Sequence, residues 1–155
     1  MIATPPRICL VDDDASFRAA TGSLLTACGY MVSLYEGATQ LLEALPGNEP
    51  GCILLDVQMA GLSGPQLQNR LAAIGCSLPI VFISGHADIP TTVQTIKAGA
   101  EDFLTKPIQK DDLLAAIERA LARHEQIREL DGHISVLRSL FAQLTAREHD
   151  VFAML

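Results

Sequence analysis

The sequence predicts an α/β protein: a doubly wound, five-stranded parallel sheet continued by an extended C-terminal helix. Three observations predict it. Five short strand-like runs alternate with segments of helical periodicity. Three of those runs, Ile8-Cys9-Leu10-Val11, Cys52-Ile53-Leu54-Leu55 and Ile80-Val81-Phe82-Ile83, show no polar alternation, as strands covered on both faces do. Four of the five run straight into Asp12, Asp56, Ser84 or Lys106, at the carboxyl edge where open parallel sheets place ligands and chemistry.

Taken in order, Ile8-Cys9-Leu10-Val11 is the first strand, and Asp12-Asp13-Asp14 follows it at once. Phe17, Ala20, Leu24, Leu25 and Cys28 recur at helical spacing, and Gly29 stops that helix. Val32-Ser33-Leu34-Tyr35 alternates, which suits a half-exposed edge strand. Ala38, Leu41, Leu42 and Leu45 mark one face of a short helix ending before Pro46-Gly47. The third strand carries Asp56 at its end. After a loop, Ser63-Gly64-Pro65-Gln66 has capping-box spacing, with Leu67, Leu71 and Ile74 as the next helix's buried face. The fourth strand leads into Ser84-Gly85-His86, and a helix with Ile89, Val93 and Ile96 on one face ends near Gly99. A short last strand, about Phe103-Leu104-Thr105, meets Lys106-Pro107. The final helix begins near Lys110, with Asp111 and Asp112 in the first turn, where the helix dipole favours anions. Leu113, Leu114, Ile117 and Leu121 pack it onto the sheet.

Composition narrows the class. A chain of 155 residues holds one domain with a real core and a short appendage. With 49% hydrophobic residues and no Trp, that core is aliphatic. No run approaches the roughly 20 apolar residues of a membrane helix. Met1-Ile2-Ala3-Thr4-Pro5-Pro6 lacks a signal peptide's charged and apolar regions, so a cytoplasmic protein without a membrane partner is expected. Cys9, Cys28, Cys52 and Cys76 are widely spaced within apolar segments and read as buried thiols of a reducing compartment. The net charge of −7 argues against this stretch gripping nucleic acid by itself. Residues 1–112 hold six Lys/Arg against twelve Asp/Glu, so the acidity belongs to the first domain.

The strand ends carry the chemistry. Asp56 is a candidate nucleophile or metal ligand; the bland alternative, a helix cap, is better filled by Ser63. Strand order is not legible in the residues, and the flavodoxin-like order 2-1-3-4-5 is adopted as the expectation. In that order strands one and three flank the topological switch point, so Asp12, Asp13, Asp14 and Asp56 meet there. Strands four and five bring Ser84 and Lys106 to the same rim. Clustered carboxylates repel one another unless a cation compensates, and an all-oxygen donor set suits Mg²⁺. A carboxylate nucleophile beside Mg²⁺ and a lysine is a phosphoryl-transfer constellation, with the Ser84 hydroxyl placed to donate to a phosphoryl oxygen.

Leu10-Val11-Asp12-Asp13-Asp14, Asp56 with Met59 and Gly61 after it, Ser84 and Lys106-Pro107 together resemble the motifs of response-regulator receiver domains over roughly residues 6–122. The resemblance implies that Asp56 is the phospho-accepting aspartate. It implies Mg²⁺ ligands at Asp13, Asp56 and the backbone carbonyl of Gln58, with Asp12 acting through water. It makes Lys106 the partner of the phosphoryl group, Ser84 the hydroxyl that swings onto it, Phe103 the aromatic switch, and Lys106-Pro107 a cis bond. Two positions depart from the family's usual pattern: Ala60 stands where Pro is common, and Ser84 replaces the commoner Thr.

Beyond the receiver (residues 1–122) the helical signal continues through a coiled-coil-like linker (123–144). Ile127, Leu130, Ile134, Leu137, Phe141 and Leu144 alternate by three and four, placing them at heptad positions a and d of a dimer interface. Thr145-Ala146-Arg147-Glu148 has capping-box spacing, so a new helix with Val151, Phe152 and Leu155 on its apolar face is expected over 145–155. That segment resembles the opening of a LuxR-type helix-turn-helix domain, as in FixJ-type regulators. The expected protein is thus a two-component response regulator truncated before its recognition helix. It takes its phosphoryl group from a sensor histidine kinase, forms a homodimer on phosphorylation and reaches DNA only through the missing domain. It turns over no external substrate. Two other readings stand beside it: a receiver acting alone through protein contacts, and a haloacid-dehalogenase-like phosphatase whose paired aspartates Asp12-x-Asp14 mimics. The phosphatase reading leaves Asp56 and Ser84 without roles.

Overall fold

The computed structural model describes residues 6–44, 50–86 and 88–154; at 128, 131–133, 135 and 144–154 it describes the backbone alone. Five strands and five helices alternate: β1 (Arg7–Val11), α1 (Ala15–Ala27), β2 (Met31–Tyr35), α2 (Ala38–Glu43), β3 (Gly51–Asp56), α3 (Gly64–Ala73), β4 (Ile80–Ser84), α4 (Ile89–Lys97), β5 (Asp102–Thr105) and α5 (Lys110–Met154). All pairings are parallel and the order is β2-β1-β3-β4-β5, as expected. The chain divides into two units, Met1–His124 and Glu125–Leu155.

In the first unit the three unbroken apolar runs become the inner strands. β3 and β4 are buried at every residue, and β1 at all but its first. The sheet therefore carries a core on each face. Ile8, Leu10, Leu54, Val81 and Ile83 meet Leu25 of α1 and Leu113, Ala116 and Ile117 of α5 on one side. Cys9, Val11, Ile53, Leu55 and Phe82 meet Leu41 of α2 and Leu67 and Leu71 of α3 on the other. The alternating run at residues 32–35 forms the edge strand, with Leu34 exposed. Gly29, where the first helix was expected to stop, has φ +96°, a conformation that favours glycine. The capping box at Ser63 forms as its spacing predicts: Gln66 N–H donates to Ser63 Oγ at 3.3 Å, and Ser63 N–H to Gln66 Oε1 at 2.9 Å.

Several expectations need correction. Ile74 lies just past the end of α3 and is exposed, because the helical periodicity that would bury it ends at Ala73. Cys28 is exposed and Cys76 half-buried; only Cys9 and Cys52, inside strands, are buried thiols. α2 ends at Glu43, and Leu45 lies outside the described residues. The first unit extends to the buried His124 rather than stopping at 122. In the second unit the backbone is helical through Met154, so no new helix starts at Thr145. A capping residue must leave helical backbone geometry, and no break occurs there. The side chains of Thr145, Glu148, Val151, Phe152 and Leu155 lie outside the described residues. Of the a/d stripe, Ile127, Leu130, Ile134, Leu137 and Phe141 are exposed, and the side chain of Leu144 is not described.

Candidate functional site

Sheet register gathers the site. The β1–β3 ladder pairs Val11 with Leu55, so Asp12 and Asp56 each stand one step past it. Asp12 N–H donates to Tyr35 carbonyl at 3.2 Å, the last backbone bond on that side. The β3–β4 ladder pairs Asp56 with Ile83 and is closed by Val57 N–H on Ile83 carbonyl at 3.0 Å. That leaves Ser84 one residue beyond. The β4–β5 ladder pairs Ser84 with Thr105, and Lys106 N–H donates to Ser84 carbonyl at 2.7 Å.

Asp12 is fully buried. Its Oδ1 accepts from Asp14 N–H at 2.9 Å, its Oδ2 from Lys106 Nζ at 2.9 Å, and its carbonyl from the Arg18 guanidinium at 2.7 Å. Asp56 is 6% exposed; its Oδ1 accepts from Gln58 N–H at 3.2 Å, and its Oδ2 lies 4.0 Å from Lys106 Nζ. Asp13 is exposed at the rim, and one carboxylate oxygen from each of Asp12, Asp13 and Asp56 lies within 4.8 Å of the others. Burial, and then the neighbouring Asp12 charge, push the Asp56 carboxyl up to about 6, against the opposing pull of Gln58 N–H and Lys106. Lys106 therefore does not fully compensate the cluster. A donor set of three crowded carboxylates, one open to solvent, fits a hard divalent cation.

The Lys106 ammonium is held on a third side by the Phe17 ring, 4.2 Å from its centroid. Ser84 is buried, and its Oγ accepts from His86 N–H at 3.1 Å. Lys106-Pro107 is cis. Phe103 stacks on Phe82 with centroids 6.1 Å apart and lies against the apolar core rather than among the carboxylates. Gln58 reaches the site through its backbone. Asp14 is the N-cap of α1, accepting from Ser16 and Phe17 N–H at 3.0 and 3.2 Å. A carboxylate bound to a helix end is poorly placed for the general-acid role that the Asp12-x-Asp14 alternative requires. Reasoning from sequence missed Phe17 and Arg18. Phe17 reads as one more apolar helix position, and no spacing rule points from either residue to the rim.

Fold and pocket together define an α/β module whose sheet edge presents a buried carboxylate, flanked by further carboxylates and a lysine. The chain belongs to the response-regulator receiver family: residues 8–118 match the model of the "Response regulator receiver domain". It is similar to the response regulator protein TmoT of Ectopseudomonas mendocina, 43% identical over 144 residues, which are 93% of this chain and 66% of that one. It is also similar to the transcriptional regulatory protein FixJ of Bradyrhizobium diazoefficiens, 37% identical over 150 residues, 97% of this chain and 73% of that one. Among solved structures it resembles the response regulator StyR, at a TM-score of 0.86 and 41% identity, covering 94% of this chain and 74% of that one. The chain thus spans about two thirds to three quarters of the length of these relatives. Membership sets the phosphatase reading aside: this is the receiver domain of a two-component response regulator. Among the described residues no helix is long and apolar enough to cross a membrane.

Proposed function

We propose that Asp56 accepts a phosphoryl group from a sensor histidine kinase. The acyl phosphate then switches dimerisation of the chain and, through it, a DNA-binding, transcription-regulating output domain. The observation that carries the reading is the Lys106 ammonium, 2.9 Å from Asp12 and 4.0 Å from a nearly buried Asp56 at the sheet's switch point. An Asp56 oxygen attacks phosphorus as the P–N bond of the phosphohistidine breaks, and the bonding pair leaves with the imidazole. Lys106 offsets charge on the phosphoryl oxygens. Ser84 Oγ accepts from His86 N–H and so keeps its own proton to donate to one of those oxygens.

Asp13, Asp56 and the backbone carbonyl of Gln58 would hold Mg²⁺, with Asp12 acting through an intervening water. When bound, the ion offsets carboxylate repulsion and the charge of the phosphoryl oxygens. Movement of Ser84 gives Phe103, two residues before Ser84's partner Thr105 on β5, room to shift. The face formed by α4 and β5, with Ile89, Val93 and Ile96 exposed, then pairs with a second copy, and the Ile127-to-Leu144 stripe adds a coiled-coil contact. A cytoplasmic protein follows from this reading.

The test is incubation with acetyl phosphate and Mg²⁺, followed by intact mass. The expected result is a single phosphoryl increment in the wild type, none in Asp56→Asn, and no turnover of small phosphoesters. Steady phosphoester hydrolysis without a phosphorylated chain would replace this reading with that of an enzyme.

A further inference from the structure

Gln68 is a buried polar residue that helical periodicity does not explain. It lies with Gly64, Leu67 and Leu71 on the buried face of α3, where an aliphatic side chain would bury more apolar surface. It is 6% exposed, and its Nε2 donates to the backbone carbonyl of Thr95 in α4 at 3.0 Å. Among the described residues this is the one hydrogen bond joining α3 to α4.

Both ends of that bond are anchored. At one end α3 rests on the exit of β3: Gly64 N–H donates to Val57 carbonyl at 2.9 Å, and a Cβ on Gly64 would stand 2.5 Å from the Asp56 carbonyl oxygen. The first turn of α3 is thus fixed to the Asp56–Val57 backbone, and Gln68 stands one turn further along the same face. At the other end Thr95 is fully buried. Its hydroxyl bonds back to the Thr91 and Thr92 carbonyls at 3.0 Å each, and its own carbonyl also accepts from Ala100 N–H at 3.0 Å. The large apolar residues of α4 do not hold it: Ile89, Val93 and Ile96 are 78%, 44% and 42% exposed. A helix with so few buried apolar contacts is positioned chiefly by its polar ones.

We propose that Gln68 is a positioning residue that ties α4 to the Asp56 loop. A phosphoryl group on Asp56 then acts on the exposed α4 face through α3, in parallel with the route through Ser84 and Phe103. This rests on Asp56 being the acceptor. Gln68→Met isolates the effect, because it keeps length and bulk while removing the donor. Thr95 carbonyl retains Ala100 N–H, so no buried acceptor is orphaned.

The experiment is amide hydrogen exchange on the whole 155-residue chain in Mg²⁺, with and without beryllofluoride. Wild type is compared with Gln68→Met and with Asn69→Met, an exposed control one residue away. In wild type, beryllofluoride protects the Asp56 loop and alters exchange across α4. In Gln68→Met, α4 exchanges about fivefold faster even without beryllofluoride, the effect of losing one ordinary hydrogen bond. Its response to beryllofluoride shrinks, while β1, β3 and the Asp56 loop behave as in wild type. Asn69→Met matches wild type throughout. Unchanged α4 exchange and an undiminished response in Gln68→Met would overturn the inference. So would a wild type whose Asp56 loop is protected while α4 stays silent. Absence of protection at the Asp56 loop itself would instead refute the acceptor reading beneath it. If Gln68→Met does not fold, the wild-type Gln68 side-chain amide resonances decide. Slowed exchange and a shift on adding beryllofluoride are expected, and free exchange with no shift would overturn the proposal.

Discussion

Replacing Asp56 by Asn should stabilise the fold at neutral pH and leave it unchanged in acid. The Asp56 carboxyl is raised from 3.8 to about 6, first by burial and then by the charge of Asp12. The folded state therefore prefers the protonated form. That contribution to stability is fully present below the unfolded value and is lost as pH rises through about 6. Two pH units correspond to about 3 kcal/mol. The open rim, where Asp13 is exposed, screens roughly half of it, leaving about 1–2 kcal/mol. The asparagine amide has no charge to lose and keeps an oxygen for Gln58 N–H. In chelator at pH 8 the variant should thus melt roughly 3–6 °C higher than wild type. The gap should close near pH 4, and Mg²⁺ should narrow it at pH 8 by stabilising only the wild-type carboxylate cluster. The assay is urea and thermal unfolding of both proteins across that range, with and without the ion. Equal stability at pH 8, or a gap that does not depend on pH, would refute the view that Asp56 is held in a repulsive, desolvated site.

Asp13→Ala should lose both Mg²⁺ binding and Mg²⁺-dependent labelling by acetyl phosphate; labelling that proceeds equally well in excess chelator would remove the metal from the account. Gly64→Ala should destabilise by about 1–3 kcal/mol through overpacking, since its Cβ would meet the Asp56 carbonyl oxygen at 2.5 Å and Val57 Cα at 2.9 Å; denaturant melts check this, and a neutral result would mean the close approach is easily relieved. Beryllofluoride should lower the dimer dissociation constant at least tenfold, about 1.4 kcal/mol. Ser84→Ala should blunt that response and Leu137→Asp should weaken dimers in either state, as sedimentation would show; a single unresponsive dimer would uncouple switch from stripe.

The fold was legible because the inner strands are built on unbroken apolar runs, at residues 8–11, 52–55 and 80–83, with polar residues only at their ends. The carboxylate cluster was legible for a related reason, since Asp12 and Asp56 follow such apolar runs directly, while Lys106 follows the shorter, half-buried β5. Three kinds of information were not. Strand order depends on long-range pairing, and the order now seen was adopted as an expectation rather than read from the residues. Tertiary contacts of apolar or amide side chains were hidden too: Phe17 beneath Lys106 and Gln68 against Thr95 carbonyl look like ordinary helix positions in a sequence. Local capping chemistry competed with continuation of the helix at Thr145, and spacing alone gave no measure of which would win. The thiol expectation failed at Cys28 and Cys76 for a simpler cause. Both lie at or beyond a helix end, where an apolar neighbourhood in sequence does not ensure burial.

The central claim is that Asp56 carries the phosphoryl group, and trapping the acyl phosphate tests it most directly. The wild-type chain is phosphorylated with acetyl phosphate in Mg²⁺, reduced with borohydride, and read residue by residue by peptide mass spectrometry. The account predicts homoserine at position 56 and no modification at Asp12, Asp13 or Asp14. Reduction products at one of those three aspartates with Asp56 intact, or a phosphoryl group that resists borohydride and hydroxylamine, would contradict it.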